Sequence, residues 1–284
     1  MLSRIARVGS ALLCAVGVVG LIATGSAAAK GPRARSSVIG GTVANLQQWG
    51  FTVAILTPNT LCTGTVISPT RVLTAAHCVG SLPTMVVRAN STSAFTGGEV
   101  LGVASAAIAP GWTHGFESDL AVLTLKNPTS APPIQLASAA DDASYGHPGA
   151  PLSVAGFGNR NPLLVGKQKV GLLTATDVTG RFCPLPPWAI CDSGRRAGYA
   201  FRRLKNGKVR HRAVMRTVCL GDSGGPLVAN TPQGPRLIGV AEASSGPSSK
   251  RNPFFFVICG LKGYPSLHTR VFTYLGFIQA NLGP

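Results

Sequence analysis

Residues 221–226 read Gly-Asp-Ser-Gly-Gly-Pro and place Ser223 in a glycine-rich turn. Such a stretch is often only a turn. Acyl transfer by serine also needs a hydroxyl of this kind, with backbone donors for the oxyanion, a base that takes the hydroxyl proton and a carboxylate that orients the base. The significance of Ser223 therefore depends on whether a base and a carboxylate occur elsewhere in the chain.

Two other stretches offer these groups. Residues 74–78 read Thr-Ala-Ala-His-Cys, so His77 stands beside a cysteine whose disulfide would hold the local backbone. Residues 119–123 read Asp-Leu-Ala-Val-Leu, with Asp119 at the mouth of an apolar strand. A lone histidine is more often structural, and an aspartate before a strand is often a cap. The long strings together are hard to reach by chance, and they predict His77, Asp119 and Ser223 as a catalytic set.

The composition of the 284-residue sequence favours short strands. It is 45% hydrophobic and 12% charged, with 35 Gly and 21 Pro, which excludes wholesale disorder and suits many strands joined by turns. The expected strands are Phe51–Leu56, Cys62–Ile67, Met85–Arg88, Leu120–Leu125, Leu152–Phe157, Leu227–Ala229 and Leu237–Ala241. The convincing helix is C-terminal, where apolar residues recur at i, i+3, i+4 and i+7 from Val271. A Pro-rich stretch from Asn127 resembles a linker between two halves.

The N-terminus is typical of a secretory signal. Residues 1–29 begin with Arg4 and Arg7, continue without charge from Val8, and end on three alanines that suit signal peptidase. A membrane anchor is the alternative, because the uncharged run is long enough to span a bilayer. We expect a signal peptide at 1–29, a short propeptide at 30–37 and an extracellular mature protein. The Ala- and Gly-rich signal indicates a bacterial source.

Removal of the signal leaves an even number of cysteines. They are Cys62, Cys78, Cys183, Cys191, Cys219 and Cys259. In an exported protein this set predicts three disulfides, although six cysteines allow 15 pairings. Zinc is the competing use, but the Cys-x-x-Cys and paired-histidine spacings of zinc sites are missing. We therefore expect no metal and no cofactor.

The charge is strongly positive, with 26 Lys and Arg against 9 Asp and Glu. Nine of the basic residues lie between Cys191 and Cys219, a segment whose sole acid is Asp192. The basic stretch 195–216 is either a solvated loop or a contact for polyanions or acidic substrates. Because few aromatic residues alternate with the charges, a specific nucleic-acid site is not expected.

Taken together, the strings 74–78 and 221–226 resemble the chymotrypsin/trypsin-like serine protease family, and His, Asp and Ser follow in that family's chain order. The resemblance implies an all-β protein of two antiparallel Greek-key barrels with a C-terminal helix. The domain would span 38–284, with barrels at about 38–135 and 146–270 and the helix at about 271–282. It also implies a monomeric, secreted serine-type endopeptidase that acts on protein or peptide substrates and has no stable membrane insertion once the signal is removed.

The same resemblance implies further roles. The backbone N–H groups of Gly221 and Ser223 would form the oxyanion hole. Residues 38–41 read Val-Ile-Gly-Gly, which matches the family's mature N-terminus; the freed amine of Val38 in the activated zymogen would pair with buried Asp222. The implied disulfides are Cys62–Cys78, Cys183–Cys191 and Cys219–Cys259.

The sequence departs from the family around the specificity pocket. Thr217 stands where members specific for Arg or Lys carry an aspartate, so the pocket floor lacks an anchoring charge. Side chains at Ser244 and Ser266 would narrow the pocket and favour small or medium residues, and His268 near its base could become cationic on acidification.

Glu242 is the other departure. It replaces a serine that in the family bonds the triad aspartate. Two carboxylates together are unfavourable unless one stays protonated, so we expect either that Glu242 points away from Asp119 or that the alignment shifts by a residue or two.

Overall fold

The computed structural model describes residues 38–160, 170–183, 187–203, 209–244 and 259–283. The expected signal peptide (1–29) and propeptide (30–37) lie outside these residues. Within them, no helix has the length and apolar character needed to cross a membrane.

Short strands make up most of the regular secondary structure of the described residues. They are β1 (Thr42–Val43), β2 (Thr52–Leu56), β3 (Leu61–Ser68), β4 (Arg71–Thr74), β5 (Val86–Ala89), β6 (Glu99–Ile108), β7 (Ala121–Leu125), β8 (Gln135–Leu136), β9 (Pro151–Gly156), β10 (Thr174–Arg181), β11 (Ala189–Ser193), β12 (Arg196–Arg203), β13 (Val209–Met215), β14 (Pro226–Thr231), β15 (Gly234–Ser244) and β16 (Ser266–Arg270). The helices are α1 (Leu46–Trp49), α2 (Ala139–Tyr145) and α3 (Leu275–Ala280), with 3-10 turns at Ala76–Cys78, Leu82–Thr84 and Phe272–Tyr274. Each of the seven expected strands coincides with one of these strands to within a few residues.

The strands close into two six-stranded antiparallel barrels. In the first, the order is β2-β3-β4-β7-β6-β5, and β5 pairs with β2. In the second, the order is β10-β11-β16-β15-β14-β9, and β9 pairs with β10. Strand β1 adds to β10, and β8 pairs in parallel with β15. The expectation of two antiparallel barrels with a C-terminal helix is confirmed.

Inward-facing branched residues fill both barrels. Val53, Val66, Leu73, Val87 and Leu123 come from five strands of the first barrel, and none of them has exposed surface. The second barrel is filled in the same way by Leu152, Val154, Ile190, Leu227 and Ile238. Each such side chain contributes about 1.5–3 kcal/mol of burial free energy, so the two barrels form a firm support for the segments that join them.

Three segments differ from the sequence-based expectation. The basic stretch 195–216 is not an irregular loop: β12 and β13 pair as a two-stranded antiparallel sheet. The supposed linker contains α2, which begins with a capping box between Ser138 and Asp141. At the C-terminus, the helix comprises a 3-10 turn and then α3, which is shorter than 271–282, although Val271 and Ile278 are buried as the periodicity predicts.

Candidate active site

The backbone of His77 is held between two strands. It lies in the 3-10 turn Ala76–Cys78 that follows β4, and both flanking residues are buried. A disulfide joins Cys78 to Cys62 in β3. The N–H of His77 donates to Asp119 Oδ1 at 2.8 Å. These contacts restrain the backbone while 40% of the histidine side chain remains exposed.

Asp119 orients the imidazole. The residue lies two positions before β7, and its side chain is only 3% exposed. Its Oδ2 is 2.6 Å from His77 Nδ1, so one carboxylate binds both the ring and the backbone of the same histidine. An ionised carboxylate only accepts hydrogen bonds, which assigns the proton to Nδ1 and leaves Nε2 as the basic nitrogen.

The Ser223 turn is built from both barrels. Thr63 in β3 donates its N–H to Ser223 O at 2.8 Å, and Gly224 donates its N–H to Ala241 O in β15 at 2.6 Å. Gly224 has φ of 81°, and a Cβ there would collide with Thr74 Oγ1 and with the Thr63 carbonyl. Glycine is therefore required at this position for the turn to lie against the first barrel.

The structure brings Ser223 to the His77 segment. Cys78 Sγ lies 3.6 Å from Ser223 O. The Ser223 hydroxyl itself lies 3.4 Å from the Glu242 carbonyl oxygen, a long contact, and among the hydrogen bonds of the described residues none joins Ser223 Oγ to His77. A catalytic bond between the two residues therefore requires rotation of the serine side chain.

Two backbone donors beside Ser223 are free. In the described part of the chain, the N–H groups of Gly221 and Ser223 have no protein acceptor, whereas the intervening Asp222 N–H donates to Cys219 O at 2.9 Å. Gly221 has φ of 94°, which glycine adopts readily. This pair of unused donors flanks the serine hydroxyl, as an anion-binding site requires.

Val38 and Asp222 are both buried, but they are not bonded to each other in the intact chain. The Val38 amide donates to Thr174 Oγ1 at 2.7 Å. The Asp222 carboxylate accepts from Gly158 N–H at 2.7 Å and from Cys219 N–H at 2.8 Å. Burial nevertheless raises the pKa of Asp222 to about 7, because the two amides only partly replace the lost solvation.

The residues assigned to the pocket floor are buried and mutually bonded. Thr217 Oγ1 hydrogen-bonds Ser266 Oγ, and both residues are 1% exposed. His268 Nε2 lies 2.5 Å from Asp192 Oδ2, with both side chains fully buried. The side chain of Ser244 lies outside the described part of the structure. The described part of the floor therefore presents hydroxyls, and the buried Asp192 carboxylate lies in close contact with a histidine.

The His268–Asp192 contact is a site feature that the sequence analysis missed. Strand β11 pairs with β16 so that Asp192 is opposite Ser266 and Ile190 is opposite His268. Residues two apart on a strand share a face, so Asp192 and His268 point to the same side of the sheet. The position of Asp192 directly after a predicted disulfide cysteine was the available signal, but the strand register was needed to use it.

Glu242 does not point away from Asp119, contrary to one of the two expectations. Its side chain is almost fully buried, and Thr269 Oγ1 lies 3.3 Å from Glu242 Oε2 and 3.2 Å from Asp119 O. Burial, together with the nearby Asp119 charge, raises the pKa of Glu242 to about 9, despite the opposing hydrogen bond from Thr269.

The cysteines are paired as the resemblance implies. The disulfides are Cys62–Cys78, Cys183–Cys191 and Cys219–Cys259. Cys62, His77 and Cys78 place their potential metal-ligand atoms within 4.8 Å of one another. Two of these atoms are the sulfurs of one disulfide, so this group offers a single imidazole and does not suit a metal ion.

Comparison with known proteins agrees with this architecture. The Trypsin family model matches residues 38–278. A trypsin from Saccharopolyspora erythraea is 33% identical over 254 residues, which cover 87% of this chain and 99% of the relative. Trypsin CFT-1 from Choristoneura fumiferana is 27% identical over 271 residues, which cover 88% and 93% of the two chains.

A third relative has a different name. Glucanase inhibitor protein 1 from Phytophthora sojae is 28% identical over 281 residues, which cover 92% of this chain and 95% of the relative. The family match spans both barrels and the segments that carry His77, Asp119 and Ser223. On that extent of similarity, the chain belongs to the trypsin family of serine proteases.

Proposed function

We propose that this protein is a secreted serine endopeptidase that cleaves protein or peptide substrates through an acyl-enzyme. The observation that carries the proposal is the double contact of one buried carboxylate with His77, at 2.6 Å to Nδ1 and 2.8 Å to the backbone N–H. A purely structural histidine has no need for a second, outward-facing nitrogen next to a serine turn. A general base does, because it must reach both the nucleophile and the substrate.

The first half of the reaction then assigns one task to each side chain. Ser223 Oγ turns from the Glu242 carbonyl towards His77 Nε2 and attacks the substrate carbonyl carbon as the imidazole takes its proton. Asp119 holds the tautomer and stabilises the imidazolium. The imidazolium next delivers the proton to the leaving amine. In the second half, His77 takes a proton from water, and the water oxygen attacks the carbonyl carbon of the acyl-enzyme. The imidazolium then returns the proton to Ser223 Oγ as the acid product leaves.

The oxyanion of the tetrahedral intermediate is assigned to the N–H groups of Gly221 and Ser223. Both are free of protein acceptors in the described residues, so they can bind a new negative charge without first breaking a bond. One such donor is typically worth about 2.7–4 kcal/mol of transition-state stabilisation. This part of the site depends on backbone conformation and not on side-chain identity.

Activation is assigned to the release of Val38 from residues 30–37, after the signal 1–29 has been removed. The segment from Val38 is already buried in the second barrel, and the Asp222 carboxylate has amide donors but no cation among the described residues. A freed α-amine that turned from Thr174 to Asp222 would supply that cation. The pairing would hold the residue next to Ser223 and the oxyanion donors in place.

For specificity, the proposal is a preference for small or medium residues over Arg and Lys. The floor at Thr217 and Ser266 carries hydroxyls, and Asp192 is occupied by His268. A buried guanidinium or ammonium would therefore find no free carboxylate among the described floor residues, and an unpaired buried charge is costly. The monomeric state is part of the same proposal.

A second candidate is a catalytically silent homologue that binds polyanions through the basic hairpin 195–216. Two observations favour it: the relative named as a glucanase inhibitor, and nine Lys and Arg residues in one short segment. Arg196 already stacks on Tyr199, with its guanidinium carbon 5.0 Å from the ring centroid. The intact His77–Asp119 pair favours the enzyme, because a binding protein has no use for it.

One experiment distinguishes the two candidate functions. Secreted protein with Val38 as its sequenced N-terminus is incubated with a fluorophosphonate probe, beside Ser223→Ala and a Ser118→Ala control. We expect labelling of the wild type and of the Ser118 control, and none of the Ser223 variant. Correctly processed protein that stays unlabelled, yet is retained on a heparin column until high salt, would instead support the silent homologue.

A further inference from the structure

Glu242 lies between two members of the proposed triad. Its backbone carbonyl oxygen is the acceptor 3.4 Å from Ser223 Oγ. Its side chain extends to Thr269, which also contacts Asp119. Glu242 is 4% exposed, so water does not solvate the carboxyl group. A change in its protonation state would therefore act directly beside Asp119.

The hydroxyl proton of Thr269 cannot satisfy both of the acceptor oxygens that lie around it. The Thr269 hydroxyl has one proton and two acceptors within reach, the Asp119 carbonyl oxygen at 3.2 Å and Glu242 Oε2 at 3.3 Å. Glu242 Oε1 has no hydrogen-bond partner in the described part of the chain. A buried ionised carboxylate with at most one donor is unfavourable, and one added proton supplies the missing donor.

We infer that Glu242 is a positioning residue that acts as a neutral carboxylic acid: its O–H donates to Thr269 Oγ1, and the Thr269 hydroxyl donates in turn to the Asp119 carbonyl oxygen. The inference rests on the proposed function, since the residue acts through Asp119 on His77. It gives Thr269 a definite donor direction and leaves a single negative charge, that of Asp119, beside the imidazole.

The charged groups around Glu242 determine its response to pH. Asp119, which precedes β7, is the charged group that acts on Glu242, and Asp119 in turn contacts His77. On β16 the adjacent Thr269 does not titrate, while His268 is engaged by Asp192. The pKa of Glu242 is raised to about 9 by burial and by Asp119. Above that pH, the Thr269 hydroxyl donates to the Glu242 carboxylate instead, so the Asp119 carbonyl oxygen loses its donor. The ionised Glu242 also places a second negative charge beside Asp119.

The test measures the second-order rate of fluorophosphonate labelling from pH 5 to 10.5 for the mature wild type, Glu242→Gln and Glu242→Ala. The glutamine side chain is a neutral donor of similar shape. We expect E242Q to label at pH 7 within about threefold of the wild type and E242A to lose about tenfold, the effect of one lost buried hydrogen bond. Thermal unfolding of each variant checks that it is folded.

Two features of the pH profile decide the result. If Glu242 is neutral, the acidic limb of the pH–rate profile has the same midpoint in E242Q as in the wild type. In alkaline solution, the labelling rate of the wild type then falls relative to that of E242Q, with a midpoint near pH 9. The released Val38 amine also titrates in alkaline solution, but it does so equally in both proteins. An acid limb shifted down in E242Q, or a rate ratio that stays flat through pH 9, overturns the inference.

A second pair of variants tests the inference independently, in case E242Q folds poorly. Thr269→Val should lower the labelling rate at pH 7 by about tenfold, and Thr269→Ser, which restores the hydroxyl, should recover it. Equal rates in the two variants overturn the inference. A wild type that labels while these comparisons fail refutes only the role of Glu242. A mature wild type that never labels refutes the proposed function and this inference together.

Discussion

Two histidine–carboxylate pairs with similar N···O distances occur among the described residues. His77 and Asp119 form a hydrogen bond, whereas the close contact of His268 with Asp192 lacks hydrogen-bond geometry, and the pairs differ further in exposure. His77 Nδ1 is 2.6 Å from Asp119 Oδ2, and His268 Nε2 is 2.5 Å from Asp192 Oδ2. The His77 side chain is 40% exposed, whereas the second pair is completely buried. Because a general base must reach its substrate, the first pair is suited to proton transfer. The second is suited to supporting the pocket floor from inside the barrel.

The largest expected effect breaks the first pair. His77→Ala should lower peptide hydrolysis by about 10⁶-fold and Asp119→Asn by about 10⁴-fold, the usual losses for these members of such a triad, and fluorophosphonate labelling should fall in the same order. His147→Ala is the matched control, because His147 is exposed and remote from this pair, and it should label within about twofold of the wild type. Comparable activity in the His77 and His147 variants would remove the basis for the proposed mechanism.

The second pair should respond in stability instead. His268→Ala leaves the Asp192 carboxylate buried without its neighbouring side chain, so we expect a loss of about 3–5 kcal/mol in the free energy of unfolding, measured by urea denaturation. A double variant, His268→Leu with Asp192→Val, replaces both polar side chains by apolar ones and should recover most of that loss. If the single and double variants are equally destabilised, packing rather than charge accounts for the effect.

Asp222 is a third buried carboxylate, and among the described residues it contacts two backbone amides and no histidine. Its pKa is raised to about 7 in the intact chain, so the folded state holds a proton that the unfolded chain loses near pH 4. The free energy of unfolding of a Ser223→Ala precursor should therefore fall by a few kcal/mol as the pH rises from about 4 to about 7.

Asp222→Asn in the same precursor is the control, and it should lack this fall. Release of Val38 should reverse the trend, because the freed amine compensates the carboxylate near neutral pH. A precursor whose stability rises from pH 4 to 7 in parallel with that of the Asp222→Asn control would show that Asp222 is already ionised and compensated before activation.

Features that a short stretch of sequence specifies could be predicted, whereas features that depend on contacts between distant strands could not. The barrels followed from short apolar runs between turn residues, and the positions of His77 and Ser223 followed from strings of five or six residues. The fold prediction is confirmed, whereas the catalytic roles stay predictions. The pairing of Asp192 with His268 depends on the register between β11 and β16, strands far apart in sequence, and a single sequence does not specify that register.

One local signal was open to a better interpretation, whereas two other features left none in the sequence. Ser138 and Asp141 form a capping box that begins α2, a pattern that is visible in the sequence but was covered by the linker interpretation of its Pro-rich neighbour. The basic hairpin has apolar and charged residues mixed without alternation, so periodicity gave no strand signal there. The orientation of Glu242 required three-dimensional contacts, because strand alternation alone does not say what lies opposite a side chain.

The smallest expected effect concerns selectivity, and it tests whether the contact with His268 keeps the Asp192 carboxylate from the substrate. Thr217→Asp adds a carboxylate to the floor that no histidine among the described residues contacts. We expect the ratio of kcat/KM for Arg or Lys ester substrates to that for an Ala ester to rise about tenfold, with Thr217→Asn as the neutral control of similar size. If the wild type already prefers Arg or Lys, Asp192 must reach the substrate despite His268. The two pairs would then differ in access alone, and both would belong to the active site.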